Sequence, residues 1–147
     1  MESNPRVRVK ICCISSMEEA KLAIAHGASA VGLVSRMPSG PGVIEENRIA
    51  EIAAKVPPGV ATFLLTSEID VPAIIDQQRR TRVNTLQLVD ALPPGPHRQL
   101  REALPGIALV QVVHVVGEQS IAEAIAVAPH VDAILSIREI PPPPSRS

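Results

Sequence analysis

Val7-Arg8-Val9-Lys10-Ile11-Cys12-Cys13, "VRVKICC", is the stretch on which the reading of the fold turns. Alternation along a strand sends Val7, Val9, Ile11 and Cys13 to one face and Arg8, Lys10 and Cys12 to the other. If the first face packs on helices, an open sheet covered on both sides would bury two cations at considerable cost. A sheet curled into a barrel turns the second face into a lumen, where polar side chains can meet a ligand and one another. An edge strand with one partly solvated face is the remaining alternative.

The rest of the chain supplies the repeat that a curled sheet needs. Short apolar, β-branched runs begin near Val7, Ala30 ("AVGLVS"), Val60 ("VATFLLT"), Thr85 ("TLQLV"), Ala108 ("ALVQVVHVV") and Val131 ("VDAIL"). Stretches of helical period lie between them, which is the signature of parallel α/β units. Ser16 with Glu19, and Ser120 with Glu123, have capping-box spacing. Ile49, Ile52, Ala53 and Val56 form one apolar stripe, and Ile121, Ala124, Ile125 and Ala128 another. Pro96 suits a first helical turn, and Gly27 can end the first helix. Every run is followed by a helix except the last.

Residues 1–138 therefore read as one partial (β/α) barrel domain. The segment 139–147, with Pro141 to Pro144, reads as a disordered, proline-rich tail. A closed barrel normally has eight units and at least about 200 residues. Six units fit instead an incomplete (β/α)8 barrel of the TIM type, with strands seven and eight missing. Its first and sixth strands would then be open edges through which a homo-oligomer could pair.

Composition narrows the function. The 147 residues are 46% hydrophobic with a formal charge of −1, so no global field attracts nucleic acid or an anionic membrane. Phe63 is the single aromatic, which removes the stacking platforms of single-strand binders. The first residues carry no signal-peptide pattern and no run approaches a membrane span, so a cytoplasmic protein is expected. Cys12 and Cys13 have no other cysteine to pair with, and His26, His97, His114 and His130 lack ligand spacing, so no metal site is expected. On the residues alone, Cys12 is either a reactive thiol at a strand's end or a small buried side chain.

The stretch "VKICCISSMEEAKLAIAHGASAVGLV" resembles the opening of phosphoribosylanthranilate isomerases, in which a first strand ending Lys-Ile-Cys-Gly precedes a Thr/Ser-rich loop and an acidic helix start. Likeness continues through "VPPGVATFLL", "VNTLQLVD" and "VDAIL", covering nearly all of residues 7 to 135. The resemblance implies a (β/α)8 barrel of tryptophan biosynthesis that works without a cofactor on a small phosphorylated substrate. It performs an Amadori rearrangement of N-(5-phosphoribosyl)anthranilate to 1-(2-carboxyphenylamino)-1-deoxyribulose 5-phosphate. On that likeness Cys12 is the general base, and Lys10, Arg36 and Gln87 are substrate-binding residues. A thiol of pKa about 8.5 needs a neighbour such as the Lys10 ammonium to act at neutral pH.

Several positions depart from the family's pattern. Ile137 stands where the family has its aspartate acid, Asp132 lies at the opposite end of that strand, and Glu139 lies beyond it. Cys13 replaces the glycine after the cysteine, Leu88-Val89-Asp90 replaces Leu-His-Gly, and Arg36 falls before the usual arginine position. The strands that carry the family's phosphate loops are missing, and the change at Ser136 to "SIREIPPPPSRS" reads as a truncated or frameshifted frame. Two functions follow: the isomerase, or a catalytically inactive barrel that acts at most as a small-ligand-binding or protein-interaction module.

Overall fold

The computed structural model describes residues 7–92 and 95–138. The expected tail, with Glu139, lies outside the described residues. Six strands run β1 (Lys10–Ile11), β2 (Ala30–Val34), β3 (Ala61–Thr66), β4 (Thr85–Leu88), β5 (Ala108–His114) and β6 (Ala133–Ile137). All neighbours are parallel and the spatial order is the chain order. Helices α1 (Met17–Ala25), α2 (Glu46–Lys55), α3 (Val71–Thr81), α4 (Pro96–Ala103) and α5 (Glu118–Val127) connect them. Strictly sequential parallel order with a helix in every crossover is the topology of a barrel wall.

The sheet curls. The Lys10 ammonium in β1 donates to Gln87 Oε1 in β4 and lies 4.8 Å from the centroid of the Phe63 ring in β3. In a flat sheet β1 and β4 would be about 14 Å apart, beyond the reach of these side chains. Strand register separates two faces accordingly. Val31, Leu33, Leu64, Leu86, Leu88 and Leu109 are buried beneath the helices and join Ile49, Ile52, Ile74 and Leu100 in one core. Lys10, Phe63, Leu65 and Gln87 line the concave side. The six units therefore form a curled, open part of a barrel, as the sequence leads one to expect.

Helix ends follow local chemistry, with two corrections. Ser16 caps α1 by accepting from the Glu19 N–H at 3.1 Å, but the Glu19 carboxylate returns to Ser15, accepting from its N–H at 2.8 Å and its hydroxyl at 2.9 Å. That reaches one residue further back than a capping box. These bonds to Ser15 hold the Glu19 carboxyl below its ordinary value. The Ser120–Glu123 box does not form, because α5 starts earlier, at Glu118 with Gly117 before it. Ser120 sits inside the first turn, where its hydroxyl accepts from the Val116 N–H at 2.8 Å and donates to the His114 carbonyl at 3.3 Å.

The expected apolar stripes also divide. Ile49 and Ile52 of α2 are buried, whereas Ile121 and Ile125 of α5 are 62% and 68% exposed. Leu22 of α1, at the other end of the sheet, is 61% exposed. Both terminal helices thus turn apolar residues to solvent. β1, expected from Val7 onward, is ordered as a strand only at Lys10 and Ile11.

Candidate active site

Pairing between β1 and β2 passes through Ile11 opposite Val31 and resumes at Ile14, whose N–H donates to the Gly32 carbonyl at 3.1 Å. Between them Cys13 has φ 59°, in the left-handed region that L residues visit at a cost and glycine does not. The resemblance read from the sequence implies a glycine at this position. The kink cancels the strand alternation, so the expectation that Cys12 and Cys13 face opposite ways fails at this step. Cys13 does not pack beneath the helices. Its thiol points to the loop after β2, 3.7 Å from the Pro41 carbonyl oxygen.

Two glycines accommodate the thiols. A Cβ on Gly32 would lie 3.0 Å from Cys12 Sγ and 3.1 Å from Cys12 Cα. One on Gly42 would lie 2.7 Å from both Cys13 Sγ and Cys13 Cβ. Strand two must therefore carry no side chain where Cys12 crosses it. Both cysteines are free and partly exposed.

Lys10 precedes Cys12 by one strand repeat and is half-buried on the concave face. Burial pushes its ammonium below the ordinary lysine value, while the Cys12 and Cys13 thiols oppose that shift. The Gln87 amide oxygen and the Phe63 face supply the two favourable partners that keep a half-buried cation in place. Burial, then the neighbouring Cys12 thiol, push the Cys13 thiol up, so Cys13 stays protonated at neutral pH. A cation and an amide thus meet on the concave face, and the Cys12 thiol follows two residues after the cation, against Gly32.

Other residues singled out by sequence fall elsewhere. Arg36 is exposed just past β2, in a cavity with Val43, Ile44, Glu45 and Glu46, and makes no contact with Lys10 or Gln87. Asp132 lies at the N-terminal end of β6, where its carboxylate accepts from the Leu109 N–H at 2.8 Å and pairs with Arg101 at 3.3 Å. It anchors a strand start and is far from the thiol end. Ile137 occupies the C-terminal end of β6, opposite His114, on the concave face by register. Sequence reasoning missed Phe63 and Gly32 as parts of this site. The signal for both was register: Gly32 pairs with Phe63, and Lys10 is two positions from Cys12.

These features define a class: a (β/α) barrel wall with a thiol and an ammonium at the mouth of the first strand. No family model matches the chain. Over 130 residues it is 32% identical to the N-(5'-phosphoribosyl)anthranilate isomerase of Thermosynechococcus vestitus, covering 88% of this chain and 56% of that protein. The enzyme of the same name from Methanocella arvoryzae is 28% identical, covering 74% of this chain and 51% of that protein. The crystal structure of phosphoribosyl anthranilate isomerase from Thermotoga maritima superposes with a TM-score of 0.81 at 27% identity, covering 92% of this chain and 63% of that one. Another, in complex with reduced 1-(o-carboxyphenylamino)-1-deoxyribulose 5-phosphate, gives 0.80 at 27%, covering 91% of this chain and 66% of that one. The chain is homologous to the phosphoribosylanthranilate isomerases over the part that it spans. It spans about half the length of the curated relatives it matches.

Proposed function

We propose that the chain carries the proton-abstracting part of an aldose–ketose isomerase site that acts on N-(5-phosphoribosyl)anthranilate in tryptophan biosynthesis. In this reading an acid protonates the ribose ring oxygen to open the ring. Cys12, as thiolate, then removes the C2 proton of the ring-opened iminium, and the resulting enolamine tautomerises to the ketone of the deoxyribulose phosphate, C1 taking up a proton as the C2 hydroxyl gives up its own. Lys10, with Gln87, binds the substrate's oxygens, and Arg36, exposed just past β2, is a further substrate contact. The chemistry is an internal redistribution of one proton pair and calls for no cofactor. The carrying observation is the placement of Lys10 beside Cys12 on the concave face, with Gln87 as its hydrogen-bond partner.

The test is the loss of substrate fluorescence on isomerisation, measured with the chain and with Cys12→Ala. Turnover that Cys12→Ala abolishes supports the assignment, and no turnover at high protein concentration overturns it for this chain. A second reading is favoured by one observation, the aliphatic Ile137 at the concave end of β6. It is a non-catalytic site that binds a small phosphorylated ligand. A thermal shift with the reduced product analogue, without turnover, separates it from the first.

The same reading places the chain in the cytoplasm; among the described residues no helix is long and apolar enough to cross a membrane. It also offers the open edges to a second copy. Exposed Leu22 on α1, and Ile121 and Ile125 on α5, the first and last helices of the wall, support edge pairing. Sedimentation over a range of concentrations tests it, and a monomer throughout would reject it.

A further inference from the structure

We propose that Cys12 and Cys13 form a vicinal dithiol that chelates trivalent organoarsenicals, a class of soft, thiophilic ligand. Both thiols are reduced and partly exposed, and both border one cavity of about 500 Å³ between β1 and α1. With the left-handed turn at Cys13, Cys12 lies against Gly32 and Cys13 against Gly42, where the missing Cβ atoms leave room for the two sulfurs. The two thiols are borne on adjacent residues and feel each other: after burial, the neighbouring Cys12 thiol helps to push the Cys13 thiol up. Adjacency in the chain, the turn at Cys13 and the shared cavity keep the pair together before any ligand arrives.

The geometry selects the ligand. Adjacent Cα atoms are about 3.8 Å apart, whereas a disulfide prefers about 4.4–6.8 Å, so direct oxidation of this pair is strained and the thiols stay available. A large atom inserted between the sulfurs spans further than an S–S bond and relaxes that ring. Zinc asks for four ligands, and among the described residues no group of three His, Cys, Asp or Glu is assembled to hold a metal. Trivalent arsenic with one organic substituent asks for two sulfurs. In the reaction two As–S bonds form, the As=O bond breaks, and the two thiol protons leave with the oxide oxygen as one water. Neither arsenic nor sulfur changes oxidation state.

The reading is independent of isomerase activity, because it is read by mass. The full-length chain is incubated with phenylarsine oxide and its intact mass recorded before and after a large excess of 2-mercaptoethanol. The expected result is one adduct per chain, heavier by the arsenical less one water, that survives the monothiol and is removed by 2,3-dimercaptopropanol. Cys13→Gly, which suits the left-handed backbone, and Cys12→Ser should each lose that resistance while keeping the far-ultraviolet dichroism of the parent. No adduct, two adducts per chain, or an equally resistant adduct in Cys13→Gly would overturn the proposal.

Discussion

The middle of this sheet and its two edges are built from similar residues yet live in different surroundings. In β2 and β4 every residue is buried, and α2, α3 and α4 cover their convex side. At the edges β1 is two residues long and β6 is mostly half-buried or exposed, although "AILSI" is as apolar as a core strand. The difference teaches that burial in a barrel wall is conferred by neighbours on both sides, not by a strand's own sequence. It also shows how one edge keeps its function: Lys10 ties β1 inward, across β2, to Phe63 and Gln87. Ile137 at the end of β6 has no polar head with which to do the same.

The sharpest contrast is a truncation at the centre. Leu64 in β3 is fully buried between β2 and β4 under the helices. Leu64→Ala should cost about 2–5 kcal/mol, read from the midpoint of urea unfolding at unchanged slope. A cost below about 1 kcal/mol would mean that the middle collapses as readily as the edges, and the comparison would fail.

Next is the seam between edge and centre. Gly32→Val places a branched side chain where Cys12 already sits, and something must shift because the neighbouring atoms include backbone. The expected loss is about 1–3 kcal/mol, together with any turnover that depends on Cys12. Cys13→Gly acts at the same seam in the opposite direction. Relieving a left-handed L residue should raise stability by up to about 1 kcal/mol, after the entropy that glycine adds to the unfolded chain. Thermal unfolding reads both, and a destabilised Cys13→Gly would show that the packing of its thiol on Gly42 outweighs the backbone cost.

Much of this contrast is legible in the sequence, and the parts that are not have definite causes. Six strands and their order follow from β-branched runs separated by helical stretches, and the lumen position of Lys10 follows from the two cations of "VRVKICC". The same alternation misplaced Cys13, because one left-handed residue reverses the face of everything after it and only the missing glycine hinted at such a turn. The stripe of α5 is apolar as its periodicity predicts, but periodicity says which residues share a face and not whether anything covers it. Arg36 joins the site by likeness of position alone, and the structure sets it in a cavity with Glu45 and Glu46.

A smaller effect belongs to the polar layer between α2 and α3. Glu46 receives Arg80 Nε at 2.6 Å and Nη2 at 3.1 Å, and the Gln77 amide at 3.4 Å. Arg80 holds its carboxyl below the ordinary value of 4.5. The group binds fewer protons folded than unfolded near that pH, so its stabilisation is present above 4.5 and is lost as pH falls through the lowered folded value. Because both side chains are partly exposed, Glu46→Gln should cost less than about 1 kcal/mol at neutral pH, and the two proteins should converge in stability in acid. A constant difference at all pH values would assign the effect to packing.

The smallest effect expected is at the free edge, and it is the one that can overturn the picture of bare edges. Ile125 is 68% exposed on α5, so Ile125→Ser in an isolated chain removes little buried area and should stay within about 0.5 kcal/mol of the parent. If a second copy covers that edge, the same substitution exposes a cost that grows with protein concentration, since association adds to the stability of whatever it binds. Unfolding measured at low and high concentration therefore separates the two cases. Equal midpoints leave α5 uncovered and the edge defined by the chain alone, whereas a parent midpoint that rises with concentration, and a variant midpoint that does not, makes the apolar stripe a contact surface.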